Sequence, residues 1–112
     1  MAFKGDLEAL ILGVLQEGDL HGYEIAKRIK QLGADALQVW EGQLYPALHK
    51  LEKEGNVSAI WVPQDGKPPR KVYALTDDGR KQLIAHHMKW REFSEVVEAM
   101  LSPKKPSPRG VK

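Results

Sequence analysis

Glu41-Gly42-Gln43-Leu44-Tyr45-Pro46-Ala47-Leu48-His49-Lys50-Leu51-Glu52-Lys53-Glu54-Gly55 decides how this chain is read. Leu44, Leu48 and Leu51 recur at helical spacing, so a helix here carries one apolar stripe that packs inward. Tyr45, His49 and Lys53 fall on the opposite face, where a solvated helix needs no aromatic ring. Proline fits only the first helical turn, whose N–H groups lack partners within the helix. Pro46 therefore predicts a start near Gly42. Gly55 supplies a left-handed stop. A glycine-lined entrance and an outward face of Tyr, Pro, His and Lys suit a helix that reads DNA.

The flanks agree. Upstream, His21-Gly22-Tyr23-Glu24-Ile25-Ala26-Lys27-Arg28-Ile29 reads as another helix, burying Ile25, Ala26, Ile29 and Leu32 and ending at Gly33. Downstream, Asn56 to Gln64 sets Val57, Ala59 and Trp61 against Ser58, Ile60 and Val62, the period of a strand. Asp65-Gly66 is a turn pair, Lys67-Pro68-Pro69-Arg70-Lys71 a basic tip, and Val72 to Leu75 a second strand. Helix, helix and a basic-tipped hairpin is the order of a winged helix-turn-helix. In that fold the second helix of the pair enters the major groove.

The ends complete the architecture. Leu7, Leu10, Ile11, Val14 and Leu15 make an amphipathic first helix that stops at Gly18. Thr76 is placed to cap a last helix from Asp77 to about Leu101, with Asp77 and Asp78 at its positive end. At 1.5 Å per residue that helix is roughly 37 Å long, more than so small a body can cover. His86, Trp90, Phe93, Val97 and Met100 follow spacings of four and three along it, as in a coiled coil. Left bare, this stripe invites aggregation, so it predicts a dimer interface with a second copy. The expected fold class is mainly α with a small β-hairpin. Residues 1–75 form the winged helix-turn-helix, 76–101 a dimerisation helix, and 102–112 a basic, disordered tail.

Charge needs care. The chain of 112 residues has a formal net charge of +2, but Lys104, Lys105, Arg109 and Lys112 all lie in the tail. What precedes it holds 13 basic against 15 acidic side chains, so the global balance argues nothing about DNA. Local clusters do: Lys67, Arg70 and Lys71 at the wing, and Lys27, Arg28 and Lys30 on the second helix. The tail reads as solvated chain rather than as a DNA-binding arm. Without cysteine, disulfides and thiolate metal sites are unavailable, which fits a reducing compartment. The longest apolar run, Ala9 to Leu12, is too short to span a bilayer, and no signal peptide precedes it. The expected location is the cytoplasm, with no membrane partner.

Several linked motifs resemble the PadR family of transcriptional regulators over about residues 6 to 101. They are His21-Gly22-Tyr23; Glu41-Gly42-x-Leu44-Tyr45-Pro46-Ala47-Leu48 with Leu51-Glu52-x-x-Gly55; and Arg70-Lys71-x-Tyr73-x-Leu75-Thr76-x-x-Gly79. Leu37-Gln38-Val39 and Trp90-x-x-Phe93-Ser94 look like the short, acidobacterial-type subgroup. The resemblance implies a repressor, and it implies that some relatives sense aromatic compounds. Gln43 and Trp40 depart from the Ser or Thr and the acid usual at those positions, and Pro68-Pro69 from the usual Gly and Arg. The operator sequence therefore does not carry over.

The expected DNA contacts are Tyr23, Gln43, Tyr45, His49, Lys50, Lys53, Lys67, Arg70 and Lys71. Gln43 is aimed at a base edge, Tyr45 and Lys71 at phosphates, and Tyr23 reads equally as core or as a phosphate contact. Trp90 is interface packing that also offers a stacking face to a small aromatic effector. His86-His87 is no metal pair: neighbours on a helix diverge by about 100° and no third ligand is suitably spaced. No serine sits in a nucleophile elbow and no Gly-rich loop cradles phosphate, so no enzyme and no cofactor is expected. The expected partners are double-stranded DNA, on a palindromic operator, and a second copy of the chain. The competing reading is a winged-helix protein-interaction module, from which the basic wing argues away.

Overall fold

The computed structural model describes residues 6–33 and 39–106. Four helices and a small sheet follow in the order α1 (Asp6–Leu15), β1 (Leu20–His21), α2 (Gly22–Leu32), α3 (Glu41–Lys53), β2 (Val57–Gln64), β3 (Lys67–Leu75) and α4 (Asp77–Leu101). The expected class, mainly helical with a winged hairpin and a long last helix, is the one observed. Leu37, Gln38 and the end of the basic tail lie outside the described residues.

The core forms where apolar stripes converge. Ile11, Leu12 and Leu15 of α1, Ile25 and Ile29 of α2, and Leu44, Leu48 and Leu51 of α3 are all buried. Val57 and Tyr73 close it from the sheet. The stripe read from α3 thus does what its spacing requires, and Gly55 just beyond has φ +81°, the left-handed stop. Leu32 is a correction. It is 57% exposed, because the last turn of α2 has run past the neighbours that cover Ile25 and Ile29.

Pro46 also sits differently from expectation. Trp40 is the N-cap and Glu41 the first helical residue, so Pro46 falls in the second turn. Its missing N–H leaves the Gly42 carbonyl without the usual donor four residues on. Gly42 is exposed, so water can satisfy that oxygen.

The hairpin is longer than the sequence suggested. β3 begins at Lys67, directly after the Asp65-Gly66 turn, and not at Val72. The prolines masked this. Val62 pairs with Arg70 but Gln64 with Lys67, so β3 carries one extra residue there, a bulge. Pro63, Pro68 and Pro69 cluster at that break, where missing ladder donors cost least. The Gln64 side-chain amide donates to the Pro68 carbonyl at 2.7 Å and closes the tip. A third strand is new: β1 pairs with β3 through Leu20–Tyr73 and His21–Val72, giving the order β1-β3-β2.

One junction ties α4 to the body. The Thr76 hydroxyl accepts from the Gly79 N–H at 2.9 Å, the expected cap, and donates to the Gly55 carbonyl at 2.7 Å. Gly79 is buried so close to the Asn56 carbonyl oxygen that any β-carbon there would overlap it. Leu83 still packs against the core, but beyond it α4 leaves the body. The molecule is accordingly 74 Å long and only 28 by 22 Å across. None of its described helices is long and apolar enough to cross a membrane.

Candidate nucleic-acid interface

Three elements frame one face of the molecule: the start of α2, the outward side of α3 and the hairpin. The start of α2 is fixed by a reciprocal cap. The Glu24 N–H donates to His21 Nδ1 at 3.4 Å, and the His21 N–H to Glu24 Oε1 at 3.1 Å. Nδ1 must be unprotonated to accept, so the proton belongs on Nε2, which lies 3.3 Å from the same carboxylate. His21 stacks at 6.3 Å on Tyr23, which is 68% exposed. That removes the core reading of Tyr23.

Tyr45 leans from α3 across this start. A β-carbon at Gly22 would lie 2.8 Å from the Tyr45 ring, so only glycine lets the ring approach the first turn of α2. The Tyr45 ring remains 45% exposed. Beside it, no described residue outside its chain neighbours and its own helix backbone puts a heavy atom within 4 Å of where a Gly42 β-carbon would be. None of the described residues demands glycine there. What a missing side chain does provide is close approach from outside.

Gln43 points less freely than expected. Its Oε1 accepts the Trp40 N–H at 3.3 Å, making half of a capping box, since an indole offers no acceptor in return. The amide nitrogen donates to none of the described residues. His49 and Lys53 are exposed on the outward face. Lys50 is turned aside: its ammonium lies 3.1 Å from Glu8 on α1, a hydrogen bond that raises its pKa.

On the wing, Lys67 and Arg70 are exposed, while Lys71 is bound 2.9 Å from Glu52 of α3. A cleft of about 400 Å³ runs between hairpin and helices, bringing Tyr23, Tyr45, Arg70 and Lys71 together with Trp61. Burial raises the pKa of the Tyr73 hydroxyl in its floor, against the opposing pull of Lys71. A second hollow of about 520 Å³ is lined by Tyr23, Lys27, Lys30 and Trp40. Arg28 is withdrawn from that basic cluster by its 3.0 Å pair with Glu17. Gln43, His49, Lys50 and Lys53 line neither hollow.

A family model described as the transcriptional regulator PadR-like family matches residues 11–85. The chain belongs to the PadR-like family. It is 36% identical over 92 residues to the negative transcriptional regulator PadR of Bacillus subtilis, covering 82% of this chain and 50% of that one. A transcriptional regulator from Clostridium thermocellum superposes with a TM-score of 0.81 at 28% identity, covering 88% of this chain and 92% of its own. A PadR family transcription regulator from Clostridium difficile gives 0.77 at 29% identity, covering 88% and 100%. Transcription regulation through a DNA-binding winged helix is thus the function of the family.

Within this PadR-like frame, the sequence reading missed Trp40 and Trp61 as surface aromatics, 64% and 66% exposed. Trp40 was visible only as a departure from pattern. Trp61 alternates correctly with its neighbours, yet the hairpin has left the body by that point, so its inward face meets solvent.

Proposed function

We propose that the chain works as a homodimer that binds a palindromic operator in double-stranded DNA and represses transcription from it. The observation that carries this reading is the outward side of α3, open at Gly42 and flanked by Tyr45, Lys53 and the wing cations Lys67 and Arg70. α3 enters the major groove, and Tyr23, Tyr45, Lys67 and Arg70 hold phosphates on either side of it. His49 and Lys53 follow along the groove, while Lys50 joins only if it leaves Glu8. The distal α4 residues His86, Trp90, Phe93, Val97 and Met100 join two copies, so that two reading helices meet the groove about 34 Å apart. Repression is supported by the Bacillus subtilis relative, a negative transcriptional regulator of which this chain spans half. The short-subgroup motifs, the cytoplasmic location and the absence of catalysis belong to the same reading.

Selection from random DNA tests it. The selected sequences should form a palindrome, and affinity should fall steeply with salt as phosphates are neutralised. Gln43→Ala should relax preference at one base position per half-site, by roughly 1–3 kcal/mol of discrimination. An unchanged preference at every position removes Gln43 from base reading. A salt-independent affinity for a protein and none for DNA favours the interaction-module alternative.

The effector belongs to the α4 stripe. Trp90 lies 6.2 Å from Phe93, their rings tilted by 44°, and it is half exposed. A planar aromatic compound stacked on this indole alters the crossing of two α4 helices, and so the spacing of the reading helices. Quenching of Trp90 fluorescence should then accompany operator release, by about 1.4 kcal/mol for each tenfold loss of affinity. Quenching with unchanged operator affinity contradicts an effector role.

A further inference from the structure

An acid on a reading helix is a problem for a DNA-binding face, because its charge repels phosphate. Glu52 is such an acid. It follows the buried Leu51 on α3, so its backbone is held firmly by the core. The structure answers it with Lys71, which crosses from β3 to within 2.9 Å of Glu52 Oε1.

The surroundings make this more than a surface ion pair. Lys71 lies directly opposite Trp61 in the hairpin register and two residues before Tyr73 on the same strand. Its ammonium sits 5.8 Å from the Trp61 ring centre and 5.5 Å from that of Tyr73. Both charged side chains are about two-thirds covered. The Glu52 hydrogen bond raises the Lys71 pKa, so the cation persists. Beyond Ala59 and Val72 the hairpin has little body to lean on, since Ile60, Trp61 and residues 65–70 are exposed. Among the described residues, this bond is the side-chain tie from the hairpin strands to α3.

We infer that Lys71 and Glu52 form a strut that fixes the angle between wing and reading helix, rather than a phosphate contact beside a bystander acid. The strut sets the distance from α3 in the major groove to Lys67 and Arg70 on the neighbouring backbone. Lys71 and Glu52 are then positioning residues for operator recognition. This reading differs from the expectation that Lys71 holds a phosphate, and it rests on the DNA-binding reading above.

The two roles predict opposite signs. Full-length wild type, Lys71→Gln, Glu52→Gln and the doubly exchanged Glu52→Lys, Lys71→Glu are titrated with operator and with random DNA across a salt series. For a strut, both single variants lower the ratio of operator to random-DNA affinity by about fivefold, about 1 kcal/mol. The exchanged pair restores that ratio to within about twofold of wild type. The salt slope of the Lys71→Gln protein stays that of wild type, because no phosphate contact is lost. The ratio is taken within each protein, so a partly unfolded sample cancels.

A phosphate contact gives the reverse. Lys71→Gln then weakens all DNA alike and flattens the slope by about one, Glu52→Gln tightens binding, and the exchange restores nothing. Any one of those results overturns the strut. If wild type itself shows no salt-dependent binding to DNA, the DNA-binding reading fails instead.

Discussion

Gly79→Ala is expected to lower the melting temperature of the full-length protein by about 12 °C. The cause is geometric. The added β-carbon would overlap the Asn56 carbonyl oxygen and come within 2.8 Å of Leu75 Cδ1. A flexible side-chain tip could step aside, but that carbonyl is backbone and already accepts the Thr76 N–H at 3.3 Å. The first turn of α4 must therefore move away from the α3–β2 turn, breaking the Thr76 bonds to the Gly55 and Asn56 carbonyls. Overpacking of this kind costs about 3 kcal/mol, the upper end of the usual range, and near this chain length each kcal/mol moves the midpoint by about 4 °C. Circular dichroism melts at matched concentration measure it. A midpoint within a degree or two of wild type would show that α4 can shift without penalty.

The second large effect is on assembly. Leu83, His86, Trp90, Phe93, Val97 and Met100 lie on one line of α4, and among the described residues Leu83 is the one of these that packs against the buried core cluster. Trp90 and Phe93 are about half exposed and Met100 more so. Trp90→Glu with Val97→Glu places two carboxylates per copy in the centre of the proposed interface, where burial of unpaired charge is prohibitive. The variant should sediment as a monomer at micromolar concentration, with the helical signal of the winged domain retained. Operator affinity should fall by about a hundredfold or more, because the second half-site no longer binds as an intramolecular event. A dimer that survives both substitutions places the interface elsewhere.

What the sequence showed, and what it hid, divides by range. α3 was legible because its leucine stripe, its glycine stop and its outward aromatic all fall within fifteen residues. The Thr76 cap was legible for the same reason: the acceptor and the N–H lie three residues apart. β1 was not, since a strand of two residues has no period to detect. The early part of β3 was hidden because its prolines read as loop, and only the partner strand reveals that they sit at a bulge. Lys67, Arg70 and Lys71 look alike in sequence, but Lys71 differs through Glu52, nineteen residues away. Lys50 is likewise claimed by Glu8, forty-two residues away. Individual cations at a surface cannot be ranked from composition; their partners rank them.

The proline-rich hairpin has one more consequence, for the protein's behaviour at high concentration. β2 is an outer strand of the sheet, and its free edge offers backbone groups to any other strand. Exposed Ile60 and Trp61 would make that edge adhesive, since apolar side chains on an open strand favour stacking of one molecule on the next. Pro63 interrupts the edge: it contributes no donor, and the bulge opposite it adds twist. A second hairpin laid alongside would meet a gap in the ladder two residues beyond Trp61. The wing can keep a bare, partly aromatic surface because its own backbone discourages the growth of wing-to-wing sheets.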